Sequence, residues 1–140
     1  MKQYLIDTNC AISYVTDRNM LQQSIMMRYF EEATEYRCEL ICLSTVVYEF
    51  VYVMEKVYSV DTIIIQKMIN DLSRTPGVSI KGDYSLRPVL SLWPHKITDY
   101  GDAIIAAYAL EYSIPILTFD QKFRKELLKS NILVEAPTKG

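Results

Sequence analysis

The sequence is poor in the residues that usually join separate folded units. Its 140 residues include only four glycines and five prolines, which argues against long flexible linkers. No apolar run approaches the roughly 20 residues that a membrane-spanning helix needs. The first residues, MKQYLID, enter a strand pattern directly and do not resemble a signal peptide. We therefore expect a single domain, residues 1–140, with no membrane association.

Cysteine and histidine are also scarce. The three cysteines, Cys10, Cys38 and Cys42, are odd in number and include no C-x-x-C spacing. The one histidine, His95, follows a proline in a predicted loop, so these residues do not make up the ligand set of a zinc site. Such cysteine usage is typical of a reducing compartment, and we expect the protein to be cytoplasmic.

The chain lacks the excess of positive charge by which many proteins hold nucleic acid. Fifteen lysines and arginines stand against 17 acidic residues, giving a net charge of −2 at pH 7. This balance argues against a protein whose affinity for nucleic acid rests on neutralising phosphates. It leaves open an enzyme that acts on nucleic acid through bound cations. The sequence also contains neither a G-x-S-x-G nucleophile motif nor a phosphate-binding P-loop.

Strand and helix patterns alternate along the whole chain. Half of the residues are hydrophobic, which is enough to form a core. Short apolar runs predict strands at 3–7, 38–44, 78–82, 114–120 and 132–136. Apolar residues at helical spacing predict helices at 8–16, 20–37, 45–59, 60–74, 84–93, 98–113 and 121–130. The alternation predicts an α/β fold, a three-layer α/β/α sandwich with a mainly parallel central sheet.

Acidic residues lie where the predicted strands end. Asp7 ends the first strand, Asp120 ends the fourth, and Asp102 lies one turn into the helix before the fourth strand. Glu49, in the helix after the second strand, is the one charged residue within 40–54. Ligands of open α/β sheets bind at the carboxyl ends of the strands, so we expect these four acids to share a site. Mg²⁺ or Mn²⁺, which prefer oxygen ligands, would offset their repulsion and support metal-assisted hydrolysis.

Each acid also has a purely structural explanation. Asp7, Asp99 and Asp120 occupy positions that suit helix N-caps, where a carboxylate accepts hydrogen bonds from free backbone N–H groups. For Asp99, three residues before Asp102, capping is the favoured role. Glu49 could instead be an exposed helix acid on the wrong face for the site. The spacing alone leaves both explanations open.

Four motifs, in order over nearly the whole chain, resemble those of the PIN domain family: YLIDTN, STVVYEFVYVM, DYGDAIIAAYA and IPILTFDQKF. The resemblance is closest to the VapC-type toxins of bacterial and archaeal toxin–antitoxin pairs. It implies a PIN-like α/β/α fold with an acidic Mg²⁺ or Mn²⁺ site. The catalytic and metal-binding quartet of the family falls on Asp7, Glu49, Asp102 and Asp120. Supporting positions of the family fall on Asn9, Thr118 and Asp99, and the resemblance implies that Thr118 hydrogen-bonds Asp7.

The resemblance also implies an activity and partners. The usual activity of the family is metal-dependent endonucleolytic cleavage of single-stranded RNA, and the hydrolytic route predicts a product with a 5′-phosphate. A VapC-type toxin implies a cognate antitoxin and a homodimer. A housekeeping PIN nuclease of RNA processing and a catalytically silent PIN-like binding module are the alternatives. The intact quartet argues against the silent module, because four acids at one sheet edge are costly to keep.

Tyrosines and a basic segment are two further candidates for RNA contacts. Of the eleven tyrosines, six lie in helices predicted around the site: Tyr48, Tyr52, Tyr58, Tyr100, Tyr108 and Tyr112. They could stack on RNA bases, although core or dimer-interface positions are the favoured explanation. An RNA path or simply a solvated helix face would explain the basic residues Lys122, Arg124, Lys125 and Lys129.

Overall fold

The centre of the fold is a parallel sheet. A computed structural model describes residues 1–139, within which the strands are β1 (Lys2–Ile6), β2 (Cys38–Leu43), β3 (Val78–Lys81), β4 (Ile116–Leu117) and β5 (Val134–Glu135). These strands form one sheet in the order β3-β2-β1-β4-β5, and every neighbouring pair is parallel. The middle strands are apolar and buried on both faces, as in parallel sheets that are covered on both sides.

Helices form all the connections, because parallel neighbours cannot be joined by a tight hairpin. In chain order they are α1 (Thr8–Val15), α2 (Met20–Thr34), α3 (Ser44–Lys56), α4 (Thr62–Arg74), α5 (Leu86–Leu92), α6 (Tyr100–Tyr112) and α7 (Gln121–Lys129). The predicted α/β fold, a parallel sheet flanked by helices, is confirmed. Among residues 1–139, no helix has the length and apolar character needed to cross a membrane.

Several element boundaries differ from the prediction. The predicted helix 20–37 ends early because the chain turns through Tyr36, which has a φ of 58°. The predicted strand 114–120 pairs only over Ile116–Leu117, where it lies beside Leu5 and Ile6 at the end of β1. Pro88 does not break α5, because it lies in the first turn, where a backbone N–H has no helical acceptor.

The two central strands define where a ligand would bind. From β1 the chain builds β2 and β3 on one side, whereas β4 and β5 lie on the other. In open parallel sheets, ligands occupy the crevice beyond the carboxyl ends of the strands at such a reversal of order. Asp7 directly follows β1 and Thr118 directly follows β4. Both residues therefore stand at this crevice.

Candidate metal centre

Asp7 and Thr118 connect the two central strands at their carboxyl ends. Both residues are buried, at 3% and 1% exposure. Thr118 Oγ1 donates to Asp7 Oδ2 at 2.5 Å, which is the bond that the family resemblance implied. The backbone N–H of Cys10 donates to Asp7 Oδ1 at 2.9 Å, so Asp7 is also the N-cap of α1. Burial raises the pKa of Asp7, and these hydrogen bonds offset part of that rise.

Asp120 lies on the other side of the same threonine. Its backbone N–H donates to Thr118 Oγ1 at 3.0 Å, so one hydroxyl connects the two aspartates. Its carboxylate caps α7 by accepting from the backbone N–H groups of Lys122 and Phe123 at 2.9 and 3.1 Å. Asp120 is thus fixed by the start of α7, and its negative charge contributes to the raised pKa of Asp7.

Asp99 and Asp102 occupy the beginning of α6 but have different surroundings. Asp99 is exposed and its Oδ1 accepts from the backbone N–H of Asp102 at 2.9 Å, which confirms its predicted capping role. Within residues 1–139, the half-buried carboxylate of Asp102 has no hydrogen-bond donor and no ion-pair partner. Burial raises the pKa of Asp102 to about 8, and the charges of Asp99, Asp7, Glu49 and Asp120 add to the effect.

Glu49 reaches the same group of acids from α3. Its side chain is exposed, but its Oε2 lies 3.3 Å from the position that a Cβ on Gly101 would take, and Asp99 Oδ1 lies equally near. Gly101 therefore leaves room for both carboxylates at the start of α6. Partial loss of hydration at the protein surface raises the pKa of the Glu49 carboxyl; the hydroxyl of Thr8 opposes this, and the charges of Asp99 and Asp7 reinforce it. Glu49 thus faces the acids from their open side.

Thr8 lies beside Glu49, whereas Arg18 contacts the first turn of α1, and no sequence pattern singles out either residue. Thr8 is buried, and its Oγ1 makes no hydrogen bond of ordinary geometry with any described residue, even though it faces Glu49. Its position directly after Asp7 was the available signal. Arg18 Nη2 donates to the backbone oxygen of Asn9 at 3.1 Å and to its side-chain oxygen at 3.4 Å. No local pattern predicts this contact, because Arg18 lies in the loop after α1.

The basic residues of α7 follow Asp120 along the chain. The three lysines are exposed, as expected for a solvated face: Lys122, Lys125 and Lys129. Arg124 is half-buried, and its Nε lacks a hydrogen-bond acceptor within the described part of the chain. A path for RNA along this helix stays a prediction.

The chemistry of the acidic group suits a hard divalent cation. Its side chains offer oxygen ligands, which Mg²⁺ and Mn²⁺ prefer, and none of its carboxylates pairs with a lysine or arginine in residues 1–139. The acids do not form a ready-made cage: in the same residues, no three His, Cys, Asp or Glu side chains are grouped closely enough to hold an ion. Mg²⁺ needs no such cage, since it usually keeps several waters and binds one or two carboxylates.

Comparison with known proteins identifies the family. A sequence model described as PIN domain matches residues 4–125, more than half of the chain. The chain belongs to the PIN family. PIN domains are typically nucleases, and PIN nucleases generally use divalent metal ions. A search of curated proteins finds no match.

Solved structures support the same fold over nearly the whole PIN chain. VapBC2 from Rickettsia felis, bound to a DNA fragment from their promoter, is 16% identical, with a TM-score of 0.69 over 96% of this chain and 98% of that chain. FitAcB from Neisseria gonorrhoeae is 15% identical, with a TM-score of 0.65 over 96% and 97%. VapBC-1 from nontypeable Haemophilus influenzae is 16% identical, with a TM-score of 0.65 over the same shares. At these identities the likeness shows the fold, and it agrees with the predicted resemblance to VapC-type proteins.

Proposed function

We propose that this PIN protein is a metal-dependent endoribonuclease that cleaves single-stranded RNA, working as one domain of residues 1–140. The observation that carries the proposal is the carboxylate of Asp102. It is half-buried beside four other acids and has no partner among the described residues. A buried acid without a partner destabilises a fold, so its presence favours a role in binding a cation.

The carboxylates for the cation would come from the predicted quartet: Asp7, Glu49, Asp102 and Asp120. A divalent cation, when bound, lowers the pKa of water and stabilises the charge that develops on a phosphoryl group. The protein contributes fixed carboxylates. Asp7 is held by Thr118 and by the start of α1, whereas Asp120 is held by the start of α7.

The remaining predicted site residues would support the quartet. Asp99 adds negative charge at the entrance while it caps α6. Thr118 fixes the orientation of Asp7 and contacts the backbone of Asp120. Asn9 is tied to Arg18, which sets its position at the start of α1.

We further propose that the enzyme is the toxin of a toxin–antitoxin pair, acting in the cytoplasm as a homodimer that a cognate antitoxin inhibits. Two structurally similar assemblies, VapBC2 and FitAB, were crystallised bound to DNA fragments, and their fold extends over 96% of this chain. A toxin should arrest growth when expressed alone. Cells that express the Asp102→Asn variant instead should grow normally. Cells that express the toxin together with the product of an adjacent antitoxin gene should also grow normally.

Cleavage of end-labelled single-stranded RNA tests the nuclease directly. The purified chain, free of any partner, is incubated with Mn²⁺, with Mg²⁺ or with EDTA, beside Asp102→Asn and a control variant, Glu111→Gln. Glu111 is an exposed acid near the other end of α6. We expect metal-dependent cleavage with 5′-phosphate ends, lost in Asp102→Asn and kept in Glu111→Gln. Equal cleavage by Asp102→Asn would contradict the site, and metal binding without cleavage of a mixed RNA pool would favour a silent module.

A further inference from the structure

A pocket lined by tyrosines opens directly beside the acids. It has a volume of about 420 Å³ and lies between α3, α6 and the residues before α5. The tyrosine pocket, as we call it, is formed by the rings of Tyr48, Tyr52, Tyr84 and Tyr100. Glu49 and Gly101 also line it, and both belong to the neighbourhood of the acids. The pocket and the acidic group are therefore continuous.

Two of the rings are held in place by other aromatic residues. The hydroxyls of Tyr84 and Tyr100 lie 3.1 Å apart and share a hydrogen bond. The ring of Tyr100 also packs edge-on against Trp93, with ring centroids 5.1 Å apart and planes at 80°. These contacts join Tyr84 and Tyr100 to each other, and Tyr100 to Trp93, before any ligand arrives.

The other two rings face solvent. Tyr48 and Tyr52 are one helical turn apart on α3 and are 77% and 58% exposed. Their exposure excludes core positions for these two tyrosines and leaves a dimer interface or a ligand-binding surface. Exposed aromatic groups that gather in one place commonly mark a binding surface.

The lining of the pocket indicates what kind of group it accepts. Glu49 is its one charged residue among the described lining residues, so the pocket contains no lysine or arginine to attract a phosphate. Aromatic rings with hydroxyl groups suit a flat, uncharged group that has polar edges. A nucleobase has this form, and base stacking on aromatic side chains tolerates any sequence because every base has a π-face.

We propose that the tyrosine pocket binds a nucleobase of the single-stranded RNA, next to the phosphate that is cleaved. The inference rests on the proposed function, since it places the base beside the acids through Glu49 and Gly101. Bases in a duplex are paired and stacked on each other. A pocket that must surround one base therefore selects unpaired RNA.

Binding measured without cleavage tests the proposal. In the Asp102→Asn protein, fluorescence anisotropy gives the Kd for a short labelled single-stranded RNA and for an abasic oligonucleotide of equal length. We expect the normal RNA to bind more tightly, and Tyr52→Ala to weaken it by about 5- to 150-fold, the range for loss of one stacked base. Tyr52→Phe should retain most of the affinity, because the ring remains.

Matched controls separate the pocket from exposed tyrosines in general. Tyr36→Ala changes a tyrosine of similar exposure, 66%, in the turn after α2, and should leave the Kd unchanged. Equal binding of normal and abasic strands, or no effect of Tyr52→Ala, would overturn the proposal. A third outcome would also overturn it: Tyr52→Ala abolishes the dimer in sedimentation experiments but still binds normal RNA more tightly than the abasic strand. The rings would then serve to join two copies of the chain.

The two proposals fail in different ways. If the parent protein cleaves no RNA but the preference for normal over abasic strands depends on Tyr52, the nuclease proposal fails and the base pocket stands. If the protein cleaves RNA with metal while Tyr52→Ala binds and cleaves like the parent, the base pocket fails and the nuclease proposal stands.

Discussion

The acids at the carboxyl edge of the sheet form two groups that differ in what they contribute to folding. Asp7, Asp99 and Asp120 each accept hydrogen bonds from backbone N–H groups at the start of a helix. Glu49 and Asp102 cap no helix in residues 1–139 and have raised pKa values because of burial and neighbouring charge. Helix capping alone would explain why aspartates occupy the three positions of the first group. Within the second group, the half-buried Asp102 reduces stability when it is charged, so it carries the strongest evidence for function.

The largest effect is expected when the non-capping group loses its charge. In EDTA at about pH 8 or above, Asp102→Asn should raise the free energy of unfolding by at least about 1.4 kcal/mol, the equivalent of one pKa unit. The reason is that it removes a half-buried charge that four other acids repel. Urea unfolding measures this change. Unchanged stability would mean that water already solvates this carboxylate fully.

The pH dependence of stability should reveal the same carboxylate. Its pKa is about 8 in the folded chain and 3.8 as the ordinary value, so between these values the folded state holds a proton that the unfolded state lacks. Without metal, the contribution of Asp102 to stability therefore falls as pH rises through this window and levels off above it. The difference in stability between Asp102→Asn and the parent should accordingly grow from about pH 5 to about pH 8. A constant difference would contradict the raised pKa.

Two variants of Asp120 should distinguish its contribution to stability, as a helix cap, from its contribution to cleavage, as a charge. Asp120→Ala removes the acceptor for two backbone N–H groups at the start of α7, and should cost about 1 kcal/mol of unfolding free energy. Asp120→Asn keeps an acceptor and should change stability by less than about 0.5 kcal/mol. Both variants should lose RNA cleavage if the charge of Asp120 serves the cation. If Asp120→Asn cleaves like the parent protein, Asp120 is only a cap.

The smallest effect is expected from a substitution of Gly101, which lies between Asp99 of the first group and Glu49 of the second. In Gly101→Ala the new Cβ would lie 3.3 Å from both Glu49 Oε2 and Asp99 Oδ1, so these side chains must shift slightly. Alanine favours a helix over glycine by up to about 1 kcal/mol, which should keep the variant at least as stable as the parent. Cleavage should fall severalfold, measured beside Gly82→Ala, whose Cβ would meet nothing within 4 Å. Equal cleavage by the two variants would show that the position of Glu49 is not critical.

The sequence predicts which acids lie at the carboxyl edge of the sheet, because an acid that follows an apolar strand is a local pattern. Asp7 directly follows an apolar strand, and parallel topology brings it to the β1–β4 crevice. Contacts that depend on how distant elements pack cannot be read in this way. The bond between Arg18 and Asn9 and the pair of Tyr84 and Tyr100 are of this kind. The two-residue length of β4 likewise reflects where its neighbours β1 and β5 pair with it rather than its own apolar run.

The Thr118 hydroxyl joins two parts of the site that are synthesised at different times. Its bond to Asp7 joins residues 111 positions apart, so Asp7 is translated long before the partner that fixes it. A chain still emerging from the ribosome carries Asp7 at the end of β1 but lacks the neighbouring strand and Asp120. The acidic edge therefore assembles only after β4 and Asp120 have been made. On the proposed function, chains that stop before Thr118 should consequently not cleave RNA.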